Sequence, residues 1–111
     1  MSLDAAALGE QMIGAGAAAF GANWDTAKDF AEAEFKTLAT RLETIGQQVA
    51  RGLDHELAKT LFESQKRTAI QIIAGTTALT ILAVEAAINA VLAVIRETVN
   101  TALGFGLFWD T

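Results

Sequence analysis

From Ala69 to Ile95 the chain reads AIQIIAGTTALTILAVEAAINAVLAVI. One ionisable side chain, Glu85, and two amides, Gln71 and Asn89, interrupt it. The stretch is apolar all round rather than along one stripe. As a helix it has to be covered on every side, by protein or by lipid. That requirement bears on every other segment of the chain.

The chain has 111 residues, the length of one small domain, and contains no Pro, Cys or Tyr. Without Pro nothing forbids long helices, and without Cys there is neither a disulfide framework nor a thiolate metal site. Hydrophobic residues make up 52% of the chain, and Ala, the best helix former, dominates them. The expected class is all-α. The net charge is −5, which argues against nucleic acid as a partner, since that partner requires a basic face. Met1–Asp4 lacks the basic start of a secretory signal peptide, so the expected location is cytoplasmic or membrane-associated.

Upstream of the apolar stretch, residues 24–51 form the clearest amphipathic helix. Ala31, Phe35, Leu38, Leu42, Ile45 and Val49 recur at steps of four and three, the spacing of a heptad seam. Residues 3–20 are rich in Ala, with Gly9, Gly14 and Gly16 inside. Each interior Gly weakens a helix by about 1 kcal/mol relative to Ala, and close backbone approach to a neighbouring helix is the physical return. Gly21–Asn23 is a candidate break. Gly52 and Leu53 fit a Schellman ending, and Asp54 caps the next helix. No strong stop then falls before Gly104, so residues 55–103 read as one long helix with an aromatic tail at 104–111.

These pieces predict a single domain, 1–111, built as a long antiparallel helical hairpin of three helical segments in two arms. Residues 3–51 and 55–103 are equal in length, about 73 Å each if fully helical. Folded at Gly52, the Ala/Gly-rich segment lies beside Glu85–Leu103. A hairpin covers one side of the apolar arm only. Its other sides, with Leu82, Val91, Leu92 and Ile95, are expected to meet further copies and complete a bundle by oligomerisation. Gln71, Glu85 and Asn89 share one side and predict a polar seam between copies. Leu38, Leu42, Ile45 and Val49, with Gly9, Gly14 and Gly16, are the expected helix-packing positions. Phe105, Phe108 and Trp109 are expected to dock in an apolar or interfacial setting.

The chemistry-bearing patterns are sparse. His55 is the lone histidine, and the position three before it is Gly52, so no Glu-x-x-His ligand pair exists. Gly14-Ala15-Gly16 resembles a fragment of a dinucleotide loop but has no strand before it. No nucleophile–base pair or cofactor motif is legible, and the expectation is a non-enzymatic chain with no metal or cofactor. The functional expectation is a structural, self-assembling protein whose partner is itself. The alternative is a small membrane protein in contact with lipid (an anchored scaffold, holin-like or pore-forming) with Ala69–Ile95 as its span, given that about 20 apolar residues suffice. Lys66, Arg67 and Arg96 would flank that span.

Overall fold

A computed structural model describes residues 3–107. It is helical throughout apart from the connections. The α-helices are α1 (Ala5–Phe20), α2 (Trp24–Ala50), α3 (His55–Thr77) and α4 (Ile81–Leu103), with a short 3-10 turn, Gly21–Asn23, between α1 and α2.

The expected hairpin is folded double. Each arm breaks near its midpoint, and the molecule measures 40 × 23 × 22 Å rather than the length of an extended arm. The first break is at Gly21, whose φ of 57° reverses the chain. Its N–H donates to the Ala17 carbonyl as α1 ends. The second break corrects the expectation of one helix over 55–103. Ala78 adopts a left-handed φ of 63° and donates its N–H to the Ala74 carbonyl, closing α3. The Thr77 hydroxyl accepts the Leu79 N–H at 3.3 Å, and the Thr80 hydroxyl accepts the Ala83 N–H at 3.1 Å to cap α4. The apolar stretch is thus two helices joined by a three-residue turn. Among the described residues no helix is long and apolar enough to cross a membrane, and Ala69–Ile95 is not a single helix.

Contacts fix the direction of each helix. The Ala5 N–H donates to the Glu43 carboxylate at 3.1 Å, Gly9 stands against Ala39, and Gly16 against Trp24. α1 therefore runs antiparallel to α2. The Gly52 turn is a Schellman ending, with the Leu53 N–H donating to the Gln48 carbonyl at 2.9 Å and the Gly52 N–H to the Val49 carbonyl at 3.0 Å. It reverses α2 into α3, and Asp54 caps α3 by accepting the Leu57 N–H. Lys66 meets Asn89 across α3 and α4. α4 returns beside α1, with Val94 and Gln11 lining one groove. The result is an up-and-down four-helix bundle in the order α1–α2–α3–α4 around its axis.

The core explains why these helices hold. The seam residues Phe35, Leu38, Leu42 and Ile45 are buried, and Val49 is half-buried at the end. They face Phe62, Ile70 and Ile73 of α3, Leu8 and Met12 of α1, and a row on α4: Val84, Ile88, Val91, Leu92, Ile95 and Val99. Each such side chain contributes about 1.5–3 kcal/mol over exposure. Val91, Leu92 and Ile95, expected at a contact between copies, are fully enclosed by their own chain. The reason is that α1 and α3 flank α4, with α2 across the core, so the folded-back arms supply the cover expected from other copies.

Candidate interaction surface

The polar side chains of the apolar stretch resolve first. Gln71, Glu85 and Asn89 do share one side, but that side is the groove between α3 and α4. There Glu63, Lys66, Arg67, Gln71 and Glu85 line a small cleft with Ile70 and Ile81. The Lys66 ammonium donates to Asn89 Oδ1 at 3.3 Å and lies 3.3 Å from the Glu63 carboxylate. The stem of Lys66 is largely buried, so its charge is held at the rim by these acceptors. The polar seam joins two helices of one chain.

The glycines divide in the same way. A Cβ at Gly16 would come within 2.6 Å of Trp24 Cζ3. Gly16 therefore lets the six-membered ring of the indole approach α1 closely, and Trp24 also packs on Phe20 with ring centroids 5.7 Å apart. Gly9 gives ordinary contact with Ala39. Gly14 meets nothing within 4 Å and faces outward.

That outward position belongs to an extended surface. α4 presents Leu82, Ala83, Ala86, Ala90, Ala93 and Val94 outward, none of them ionisable. Leu82 is 76% exposed and Val94 57%. The neighbouring side of α1 presents Gly14, Ala17 and Ala18, and α1 carries no charge from Gln11 to Phe20. Between the two helices runs a shallow groove lined by Gln11, Gly14, Ala15, Ala18, Ala19, Ala90 and Val94. Of the expected contact residues, Leu82 alone stands fully outside on this face.

A second apolar surface, not anticipated from the sequence, lies on α3. Leu57, Leu61 and Ile72 are exposed, and at about 100° per residue they share one side with Ser64, Thr68 and Gly75. The side of α2 that faces α3 adds exposed Phe30. The signal is present in the spacing of 57, 61, 68 and 72, but the charges of α3 mark only its other flank.

At the opposite end of the bundle from the Ala78 turn, the chain after α4 turns at Gly104 and lays Phe105 on His55. The rings are stacked with centroids 3.9 Å apart and planes 5° from parallel. Leu107 is buried, and its N–H donates to Asn100 Oδ1 at 2.9 Å. Phe105 thus packs on a polar ring at the surface, while Phe108 and Trp109 lie outside the described residues. Among the described residues no three His, Asp or Glu side chains gather to hold a metal ion. No protein-family model, curated protein or solved structure matches the chain.

Proposed function

We propose that this chain is a non-enzymatic self-assembly module that associates with copies of itself through the outer face of α1 and α4. The observation that carries the reading is the uncharged surface from Leu82 to Val94 beside Gly14 and Ala18, on a chain of net charge −5. Two such chains repel at most approaches. This face brings no carboxylate toward another copy until Glu97 and Asp4 at the end of the groove. Small side chains there allow helices of two copies to approach closely, while Leu82 and Val94 supply apolar area to bury.

The test is the mass in detergent-free buffer across a concentration series. The expected result is a mass above one chain that rises with concentration. Val94→Glu should weaken association at least tenfold, because a carboxylate would be desolvated without a partner. A single-chain mass for the wild type throughout the series would overturn the reading.

A further inference from the structure

The buried face of α3 continues onto α4 as though the turn between them were absent. Phe62 and Ile73 on α3, and Val84 and Ile95 on α4, stand 11 residues apart at each step, and all four are at most 1% exposed. Eleven residues make three turns of helix with about 20° to spare, so on one straight helix the four would lie along a single stripe. Buried Ala58, Ala69 and Val91 form a parallel set with the same period, and its remaining member is Thr80 at the turn. A chain that only ever reversed at Ala78 would gain nothing from this register, since each helix then meets the core separately. The reversal itself is strained: Ala78 holds a left-handed φ of 63°, and the link is only three residues long. No proline stands between His55 and Leu103 to forbid a straight path.

We propose that two copies of this chain exchange α4. The turn after α3 straightens, residues 55–103 become one helix of about 73 Å, and each α4 packs into the bundle of the other copy. A single chain cannot straighten alone, because Val84, Ile88, Val91, Leu92, Ile95 and Val99 would lose the cover of α1 and α2. A second copy offers the same cover. The shared stripe lets one side of the long helix meet its own α1 and α2 along α3 and the partner's along α4. Every contact between α3 and α4, that of Lys66 with Asn89 included, then joins two chains instead of one. Straightening releases Ala78 from its left-handed conformation and pairs the backbone groups at the end of α3 with those at the start of α4. The weak helix formers Gly75, Thr76, Thr77 and Thr80 oppose it, as does the entropy of association, so the exchanged form gains with concentration. The exchange leaves the outer face of α1 and α4 unused and does not depend on that contact.

The native chain lacks cysteine, so a cross-link reports which chains are joined. Glu63→Cys and Glu85→Cys, placed together in one chain, put thiols on the two walls of the α3/α4 cleft. Val94→Glu is added to suppress contact through the outer face. The chain is refolded from urea at high and at low concentration, fractionated by mass, treated with a short bis-maleimide and run on a denaturing gel. The two-chain fraction from concentrated refolding should give a covalent dimer, and the one-chain fraction a cross-linked single chain. Ala78→Gly in the same background should lower the yield of exchanged dimer at least tenfold, because glycine eases the reversal and weakens the straight helix. A two-chain fraction cross-linked only within each chain overturns the exchange, as does concentrated refolding that yields single chains alone. A dimer yield unchanged by Ala78→Gly removes the strained turn as the hinge and overturns the proposal. The outer-face reading fails separately, if Val94→Glu in the otherwise native chain leaves the concentration series unaltered.

Discussion

Two residues whose surroundings differ by little in sequence behave oppositely in space. Gly14 and Gly16 stand one residue apart on α1, yet one faces open solvent and the other the ring of Trp24. Gly16→Ala should destabilise the bundle by about 1–3 kcal/mol, since the indole has to move and its packing on Phe20 goes with it. Gly14→Ala should instead stabilise it by roughly 0.5–1 kcal/mol through helix propensity. Urea denaturation of the two variants checks both signs. That a glycine here served close packing was legible from composition. Which glycine it was depended on Trp24 folding back, and the sequence contains no local sign of that contact.

Glu34 is the other informative residue. It sits half-buried on the α3-facing side of α2, between Phe30 and Arg41, and burial raises its carboxyl above the usual carboxylate range. A folded-state value above the unfolded one means that the fold favours the protonated form. The associated penalty is present at neutral pH and is relieved as pH falls through the raised value. Glu34→Gln should therefore raise the melting temperature slightly at pH 7, by less than about 0.5 kcal/mol in stability. The advantage should vanish near about pH 3, below the carboxylate range. An advantage that persists unchanged at low pH would mean that the gain comes from something other than charge.

At the scale of the element, the two breaks were unequally visible. Gly21 announces itself, because a glycine after an alanine-rich run offers the conformation that ends a helix. Ala78 does not. It is itself a good helix former, although Gly75, Thr76, Thr77 and Thr80 around it are not, and it takes a left-handed φ at a cost of about 1–2 kcal/mol. What overrides its preference is hydroxyl chemistry on both sides, Thr77 closing α3 and Thr80 opening α4, together with the core that α3 and α4 bury once folded back. Gly75, Thr76 and Thr77 suit a kink in a continuing helix as well as a reversal, so their identities do not choose between the two. Ala78→Gly should stabilise the bundle by about 1 kcal/mol, measured by thermal unfolding, because it removes the Cβ clash without touching a contact. The start of α1 carries a comparable lesson. Glu43 lies off the apolar seam of α2, yet its carboxylate accepts the Ala5 N–H beside the Asp4 cap, so it joins α2 to α1.

For the whole molecule, the helical class, the heptad seam and the Gly52 reversal were all readable in Phe35–Val49 and in Gly52-Leu53-Asp54. The pairing of α1 with α4 and of α2 with α3 was readable as well, from the matched lengths of the two arms. The number of helices was not, and the expectation that Val91, Leu92 and Ile95 need cover from outside the chain followed from that one miss. Val91, Leu92 and Ile95 are core because Ala78 turns the chain. What is left outside is Leu82, Val94 and the alanines between them on one side, and the α3 surface on the other. The exposed apolar surface is thus smaller than the apolar sequence suggested, and it lies in two places rather than one.

The up-and-down order of the helices also governs how the chain finds its fold. Three of the four neighbouring helix pairs are joined by links of three or four residues, so most of the core forms between segments adjacent in sequence. Only α1 and α4 have to meet from opposite ends of the chain. Low separation between partners speeds the search, and bundles of this kind fold in microseconds to milliseconds. With no proline in the sequence, no slow amide isomerisation stands in the way. Stopped-flow dilution from urea at concentrations low enough to avoid association should show one fast phase and no phase lasting seconds.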